Sequence, residues 1–196
     1  MVVPGEHGTL GRDVRAWGMT EIYVDADACP VRDEVYRVSG RLELVVHVVS
    51  NGSRPLRPPG LPWVRMIVVD SGADAADDWI AERITAKDVC VTADIPLAAR
   101  CLGRGAGAVA PNGHLWTEDN IGEALAGRDL ARHLRESGVA TGGPAPLTRA
   151  DRSRFLGALD VLVRAALRGL PAGAGPARRV PWPGEDEAVR SGKEIG

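Results

Sequence analysis

An α/β domain with a mainly parallel sheet and helices on both faces is predicted by two observations. Short runs of β-branched residues alternate along the chain with segments of helical periodicity. The run Leu42–Val49 is apolar almost throughout, as expected of a strand buried on both faces.

The elements follow in order. Ile22-Tyr23-Val24 is a first strand, ended by Asp25-Ala26-Asp27. Pro30 suits a first helical position, and Val31–Val38 is a helix that Gly40 closes. Leu42–Val49 is the second strand, and a loop rich in Pro and Gly over 50–62 leads to a third at Val64–Val69. Ala76, Ile80 and Ile84 recur every four residues and predict an amphipathic helix over 73–85. Val89–Val91 is a strand, Pro96–Leu102 a helix and Ala108-Val109 a strand start, turning at Pro111-Asn112-Gly113. Glu118–Glu136 is a helix with Ile121, Leu125, Leu130 and Leu134 as its apolar stripe. Thr148 and Asp151 form a capping pair for a last helix carrying Phe155, Leu159, Leu162 and Ala166.

The 196 residues suit one domain with tails, and 44% hydrophobic with 26% charged content is enough for a buried core. Residues 1–18 lack periodicity and the apolar stretch of a signal peptide, so they form a disordered extension, or Met19 is the natural start. The Pro, Gly and charge content of 171–196 predicts a disordered tail, leaving 19–170 as the folded unit. Cys29, Cys90 and Cys101 are an odd set without zinc spacing, pointing to the cytoplasm rather than a disulfide framework. No stretch reaches the roughly 18 apolar residues of a membrane helix. A net charge of −2 excludes a histone-like or arm-type nucleic-acid binder, though not an enzyme with a local basic face.

In open parallel sheets ligands bind beyond the carboxyl ends of the strands. Those positions here are acidic. Asp25 and Asp27 follow strand one, Asp70 follows strand three, Asp74 and Asp77 share one helical face, and Asp94 follows the fourth strand. Between Asp70 and Asp94 stand seven acids against Arg83 and Lys87. Carboxylates converging from separate strand ends raise one another's pKa unless a cation sits among them. Hard oxygen donors without a Cys/His set favour Mg²⁺ or Mn²⁺ over zinc. Asp25, Asp27, Asp74, Asp77 and Asp94 are therefore the candidate metal ligands, and phosphodiester hydrolysis is the chemistry suggested. Asp74 is equally well explained as a helix cap, and Asp78, Glu82 and Asp88 as capping or solvated residues. Ser50 and Asn51, just past strand two, are candidates to hydrogen-bond substrate. The final two helices carry eight arginines against four acids over 128–168. Arg149 and Arg152 are placed best to meet a phosphate backbone, with capping and surface pairing the competing role around Arg152. Cys29 is read as structural, His114 as a surface residue, and GRGAG (103–107) as a helix-to-strand turn.

The segments VDADACPV (24–31), DAAD (74–77) and TADIPLA (92–98) resemble the YaiI/YqxD family of uncharacterised bacterial proteins. The likeness continues through Thr117, Asn120 and Ile121, TGGP (141–144) and Asp151-Arg152-x-x-Phe155, and covers about 20–168. That resemblance implies a PIN-like three-layer αβα fold. The TxDxxLA stretch is similar to that of PIN-domain nucleases, which bind Mg²⁺ or Mn²⁺ to cleave RNA. It assigns the catalytic carboxylates to Asp25, Asp77 and Asp94, and gives Thr92 the task of orienting a carboxylate or water. Where PIN domains carry a fourth acid, this chain reads Ala110-Pro111-Asn112-Gly113-His114. The expectation is a metal-dependent ribonuclease with RNA as substrate and no membrane partner. The alternative is a catalytically silent PIN-like module that binds RNA or protein. A haloacid-dehalogenase-like phosphatase, suggested by Asp25-x-Asp27, is disfavoured because Lys87 and the acidic pair Asp77-Asp78 precede Thr92 instead of following it.

Overall fold

The computed structural model describes residues 20–27, 29–53, 55–69, 72, 74–137 and 146–171. The extension 1–18, Asp70, TGGP (141–144) and the tail beyond Pro171 lie outside the described residues.

The elements in order are β1 (Ile22–Asp25), α1 (Arg32–Leu42), β2 (Val46–Ser50), β3 (Val64–Val68), α2 (Ala75–Arg83) and β4 (Val89–Val91). There follow α3 (Ile95–Gly103), β5 (Gly107–Val109), β6 (Leu115–Trp116), α4 (Glu118–Glu136) and α5 (Arg149–Leu167). The strands form one six-stranded sheet in the order β3-β2-β1-β4-β5-β6. All neighbours are parallel except β5 and β6. The chain builds outward from β1 through β2 to β3, then returns to the centre and builds the other way from β4. The reversal falls between β1 and β4, the place beyond the strand ends where open parallel sheets bind their ligands.

Side chains alternate along each strand and separate two cores. Ile22 and Val24 face α1 and α5, packing with Val35, Val38, Phe155, Leu159 and Val163. Tyr23 faces the other way, toward Ile80 of α2 and Leu97 and Cys101 of α3. Asp25, two residues after Tyr23, therefore lies on the α2/α3 side. This is the expected three-layer α/β arrangement. Among the described residues no helix is long and apolar enough to cross a membrane.

Three details differ from the sequence expectation. Gly40 does not close α1, which runs to Leu42 and stops at Glu43 in the left-handed region (φ 55°). The glycine is needed for packing instead, because a Cβ there would fall 2.9 Å from Cζ2 of Trp63. Leu42 consequently ends a helix, and the second strand starts only at Val46. Asp88, expected to be capping or solvated, is buried. It accepts from the Glu21 amide (2.9 Å), the Thr85 amide (2.8 Å) and the Thr85 hydroxyl (2.7 Å), tying the α2–β4 turn to the start of β1. The stripe of α4 is only half used. Ile121 packs against the core, but Leu130 is 61% exposed, because α4 has 19 residues and the α3 it leans on only 9.

The last helix opens as the sequence predicts. Thr148 Oγ1 accepts from the Asp151 amide (3.1 Å), and the Asp151 carboxylate accepts from the Thr148 amide (2.8 Å), closing a capping box. That helix start is wedged against the β5–β6 turn at Gly113. The glycine has φ +87°, and a Cβ on it would lie 2.7 Å from the backbone of Arg154 and Phe155. Gly113→Ala should therefore cost about 2 kcal/mol or more of folding stability. Urea denaturation measures this, and an unchanged midpoint would contradict the packing described.

Candidate functional site

β1 and β4 run side by side, with Val24 opposite Val91, so the residues after them meet at the reversal point. Asp25 ends β1 and is buried there. Its Oδ2 accepts a hydrogen bond from Thr92 Oγ1 at 2.8 Å. The same hydroxyl oxygen accepts from the Asp94 amide at 2.9 Å. One threonine thus ties the first acid to the backbone that presents the third. Asp94 is the N-cap of α3, with Oδ1 accepting from the Leu97 amide at 2.9 Å and Pro96 in the first turn. Its Oδ2 faces the rim, 3.5 Å from Nη2 of Arg128 on α4. Asp77 projects from the first turn of α2 and is half-buried. Asp74, the N-cap of that helix, makes no side-chain capping bond and is exposed.

The electrostatics show which acids share a field. Burial, then the charges of Asp25, Asp94 and Asp74, push the Asp77 carboxyl up to about 7, with Arg100 pulling the other way. Burial also raises Asp25; the Thr92 hydroxyl opposes that rise, and the charges of Asp27 and Asp94 add to it. Asp25, Asp77 and Asp94 are therefore one electrostatic group, with Asp74 at its edge. Asp27 is engaged differently. Its Oδ1 accepts from Ser50 Oγ (2.8 Å) and its Oδ2 from the Asn51 amide (3.0 Å). Ser50 and Asn51 thus pin Asp27 across the ends of β1 and β2.

The two candidate arginines of α5 part company. Arg149 is exposed in the first turn. Arg152 donates from Nη1 to Glu34 Oε1 (3.0 Å) and to the Pro30 carbonyl (3.2 Å), joining α5 to α1. Glu34 is buried, so Arg152 is the counter-charge of an interior carboxylate rather than the partner in capping and surface pairing that the sequence suggests. Two other arginines border the acids: Arg128 on Asp94, and Arg100, whose Nη2 lies 2.8 Å from Asp78 Oδ1. Sequence inspection counts Arg128 among the basic residues of its helix and does not separate it. Its seven-residue offset from Ile121, which packs against the core, is the one helical-face signal available.

Cys29 is buried and its thiol is pushed up to about 12, chiefly by desolvation, so it is no nucleophile at neutral pH. His114 is half-buried, with its ring edge-on to Trp116 at 4.5 Å. Among the described residues no three carboxylate, imidazole or thiol side chains stand close enough to ligate one ion together. Mg²⁺ is commonly held by one or two carboxylates, with water and substrate phosphate filling its other positions. Asp25, Asp77 and Asp94 offer oxygen donors of the right chemistry for that mode of binding, in which one or two of them at a time would hold the ion.

Comparison with known proteins gives the family but no reaction. A family model described as "Uncharacterized BCR, YaiI/YqxD family" matches residues 23–165, so the chain belongs to that family. A UPF0178 protein of Rhodospirillum rubrum is 54% identical over 149 residues, which is 76% of this chain and 99% of the relative. Another, from Paramagnetospirillum magneticum, is 56% identical over 153 residues, 78% of this chain and 100% of its own. A third, from Caulobacter vibrioides, is 54% identical over 150 residues, 76% and 97% of the two chains. None of the three carries an activity or cofactor in its name. No solved structure matches.

The Asp77 charge has a consequence for stability. The folded chain keeps a proton on Asp77 up to about 7, whereas an unperturbed aspartate releases it at 3.8. Folding therefore takes up a proton between those values, and stability falls as pH rises through that window. In metal-free buffer at pH 8, Asp77→Asn should melt a few degrees above the parent protein, roughly the shift that 1 kcal/mol produces. The gap should close near pH 4. A thermal melt series over pH measures it, and a gap independent of pH would refute the shared field.

Proposed function

We propose that this member of the YaiI/YqxD family is a divalent-cation-dependent ribonuclease that hydrolyses RNA phosphodiesters at the rim formed by Asp25, Asp77 and Asp94. The observation that carries the reading is that acids from β1, α2 and the start of α3 gather at the sheet's reversal point. There burial and then the charges of Asp25 and Asp94 raise Asp77, and burial with the charge of Asp94 raises Asp25. Structural capping accounts for Asp94 Oδ1 but leaves unexplained why Asp25 is a buried acid rather than an asparagine or threonine.

Bound Mg²⁺ or Mn²⁺ would supply a more acidic water and Lewis acidity toward a phosphoryl oxygen. The chain's own residues set the stage for that chemistry. Thr92 holds Asp25 by its Oδ2, and the Asp27 backbone adds a second hydrogen bond to the carboxylate. The capping bond to Leu97 fixes Asp94 by Oδ1 and turns Oδ2 to the rim. Asp77, half-buried, completes the group from the facing helix. Asp27, with both oxygens occupied by Ser50 and Asn51, serves to hold the ends of β1 and β2 together. Its negative charge still adds to the field at Asp25. Asp74 lies farther out, on the exposed edge of the same group.

Two observations favour a second reading, a silent module that binds RNA or protein. Arg128 already offsets the charge of Asp94, and residues 110–114 after β5 contribute no carboxylate. Binding with no turnover would support that reading.

Asp94→Asn separates these readings cleanly, because asparagine is an equally good N-cap and the fold should survive. The parent protein should bind Mn²⁺, and the variant about tenfold more weakly or worse. Equal binding would remove the metal site. Cleavage of a mixed RNA substrate should appear with Mn²⁺, vanish with EDTA and vanish in the variant. Mn²⁺ binding without any cleavage would favour the silent module.

A further inference from the structure

The ion pairs of the later helices differ in kind. Arg164 pairs with Asp160 and Arg132 with Asp129 along their own helices, while Arg152 serves a buried acid. Arg128 instead crosses from α4 to the N-cap of α3 and rests on a carboxylate of the candidate site.

We propose that Arg128 is the phosphate-binding residue of this site, held on Asp94 in the free protein and transferred to a backbone phosphate when a single RNA strand lies across the rim. The inference deepens the ribonuclease reading and rests on it for the position of the strand. Three features of the contact support it. The pair is loose: one nitrogen stands 3.5 Å from one oxygen, and the Arg128 side chain is 42% exposed. A guanidinium carries five N–H donors in a rigid fork, and among the described residues Arg128 makes no other ion pair. The remaining donors are free for the bidentate geometry that phosphate offers.

Position is the second argument. Asp94 Oδ1 accepts from the Leu97 amide, whereas Oδ2 makes no hydrogen bond among the described residues and faces Arg128. Arg128 thus covers the oxygen that is more open to a cation. Once Oδ2 serves a cation, the guanidinium loses its partner at the mouth where a scissile phosphate would lie. Neutralising Asp94 in the free protein also lowers the repulsion among the acids, which gives the contact a reason to exist without substrate. Arg149 and Arg152 do not substitute for it: Arg152 is committed to Glu34, and Arg149 makes no contact with the acids.

The test uses the full chain and a short fluorescein-labelled oligouridylate, with binding read by anisotropy in excess Ca²⁺ across a series of KCl concentrations. Arg128→Ala should bind about tenfold more weakly, the loss expected of one charge-assisted contact. The slope of log affinity against log salt should flatten by about 0.7, one phosphate contact to a single strand. Arg132→Ala removes the same charge one turn along α4 and should leave the slope unchanged. Mn²⁺ binding without RNA is measured in parallel, and Arg128→Ala should bind Mn²⁺ at least as tightly as the parent because Asp94 is released. Arg128-dependent RNA binding by a protein that takes no Mn²⁺ would refute the hydrolase reading while supporting this one. Equal effects of the two substitutions, no binding of the oligonucleotide by the parent protein, or weaker Mn²⁺ binding in Arg128→Ala would overturn the proposal.

Discussion

A buried carboxylate at the end of the first strand is the constraint from which the rest of the site follows. Asp25 lies buried at the ends of β1 and β4, and its carboxylate is held there by the hydroxyl of Thr92 and the backbone of Asp27. An ionised carboxylate in such a position is costly unless paired or bound to a cation. Thr92 must therefore sit beside β1, which requires β4 to pair with β1 directly. It does, with Ile22 opposite Val89 and Val24 opposite Val91. The same hydroxyl then takes the Asp94 amide and sets where α3 begins. One threonine between two aspartates thus links the end of β1 to the start of α3 and fixes how the two acids sit relative to each other.

Charge in this molecule is sorted by depth as well as by sign. On the α1/α5 side the buried Glu34 has a dedicated partner in Arg152, and on the turn below β4 the buried Asp88 is satisfied by Thr85 and the Glu21 amide. Each of these acids has a partner close at hand, although among the described residues Glu34 Oε2 remains buried without a hydrogen bond and burial still raises Asp88. The rim is different. Asp25 is raised by burial in spite of hydrogen bonds from the Thr92 hydroxyl and the Asp27 backbone, and Asp77 is raised by burial and then by its acidic neighbours. Beyond its capping bond, Asp94 has a long contact to a half-exposed guanidinium. Arg100 and Arg128 border the acids without cancelling them. Raised carboxylates gathered beyond the ends of parallel strands mark a candidate functional site.

Much of this was legible in the sequence because the signals were local. The strands carry β-branched runs, and the capping box at Thr148 and Asp151 is a four-residue pattern with one geometric meaning. The acids follow strand ends, so parallel topology alone brings Asp25 and Asp94 near one another. What could not be read depends on contacts distant in the chain. Gly40 looked like a stop signal but answers to Trp63, and Asp88 looked solvated but anchors Glu21. Arg152 and Arg128 are alike in sequence, each a basic residue on a long helix. Only the fold shows that one neutralises an interior glutamate and the other reaches the acid rim. Leu130 and Leu134 obey helical periodicity, yet nothing local shows that α4 outruns its neighbour.

The central claim is that the rim of Asp25, Asp77 and Asp94 is built around a divalent cation. A crystal structure of the protein with Mn²⁺, using the anomalous signal of manganese to locate the ion, tests it most directly. The account predicts a peak beyond the ends of β1 and β4, reached by oxygens of at least one of these aspartates, with Arg128 turned away from Asp94. A rim without anomalous density at saturating Mn²⁺, with Arg128 still on Asp94, would contradict it.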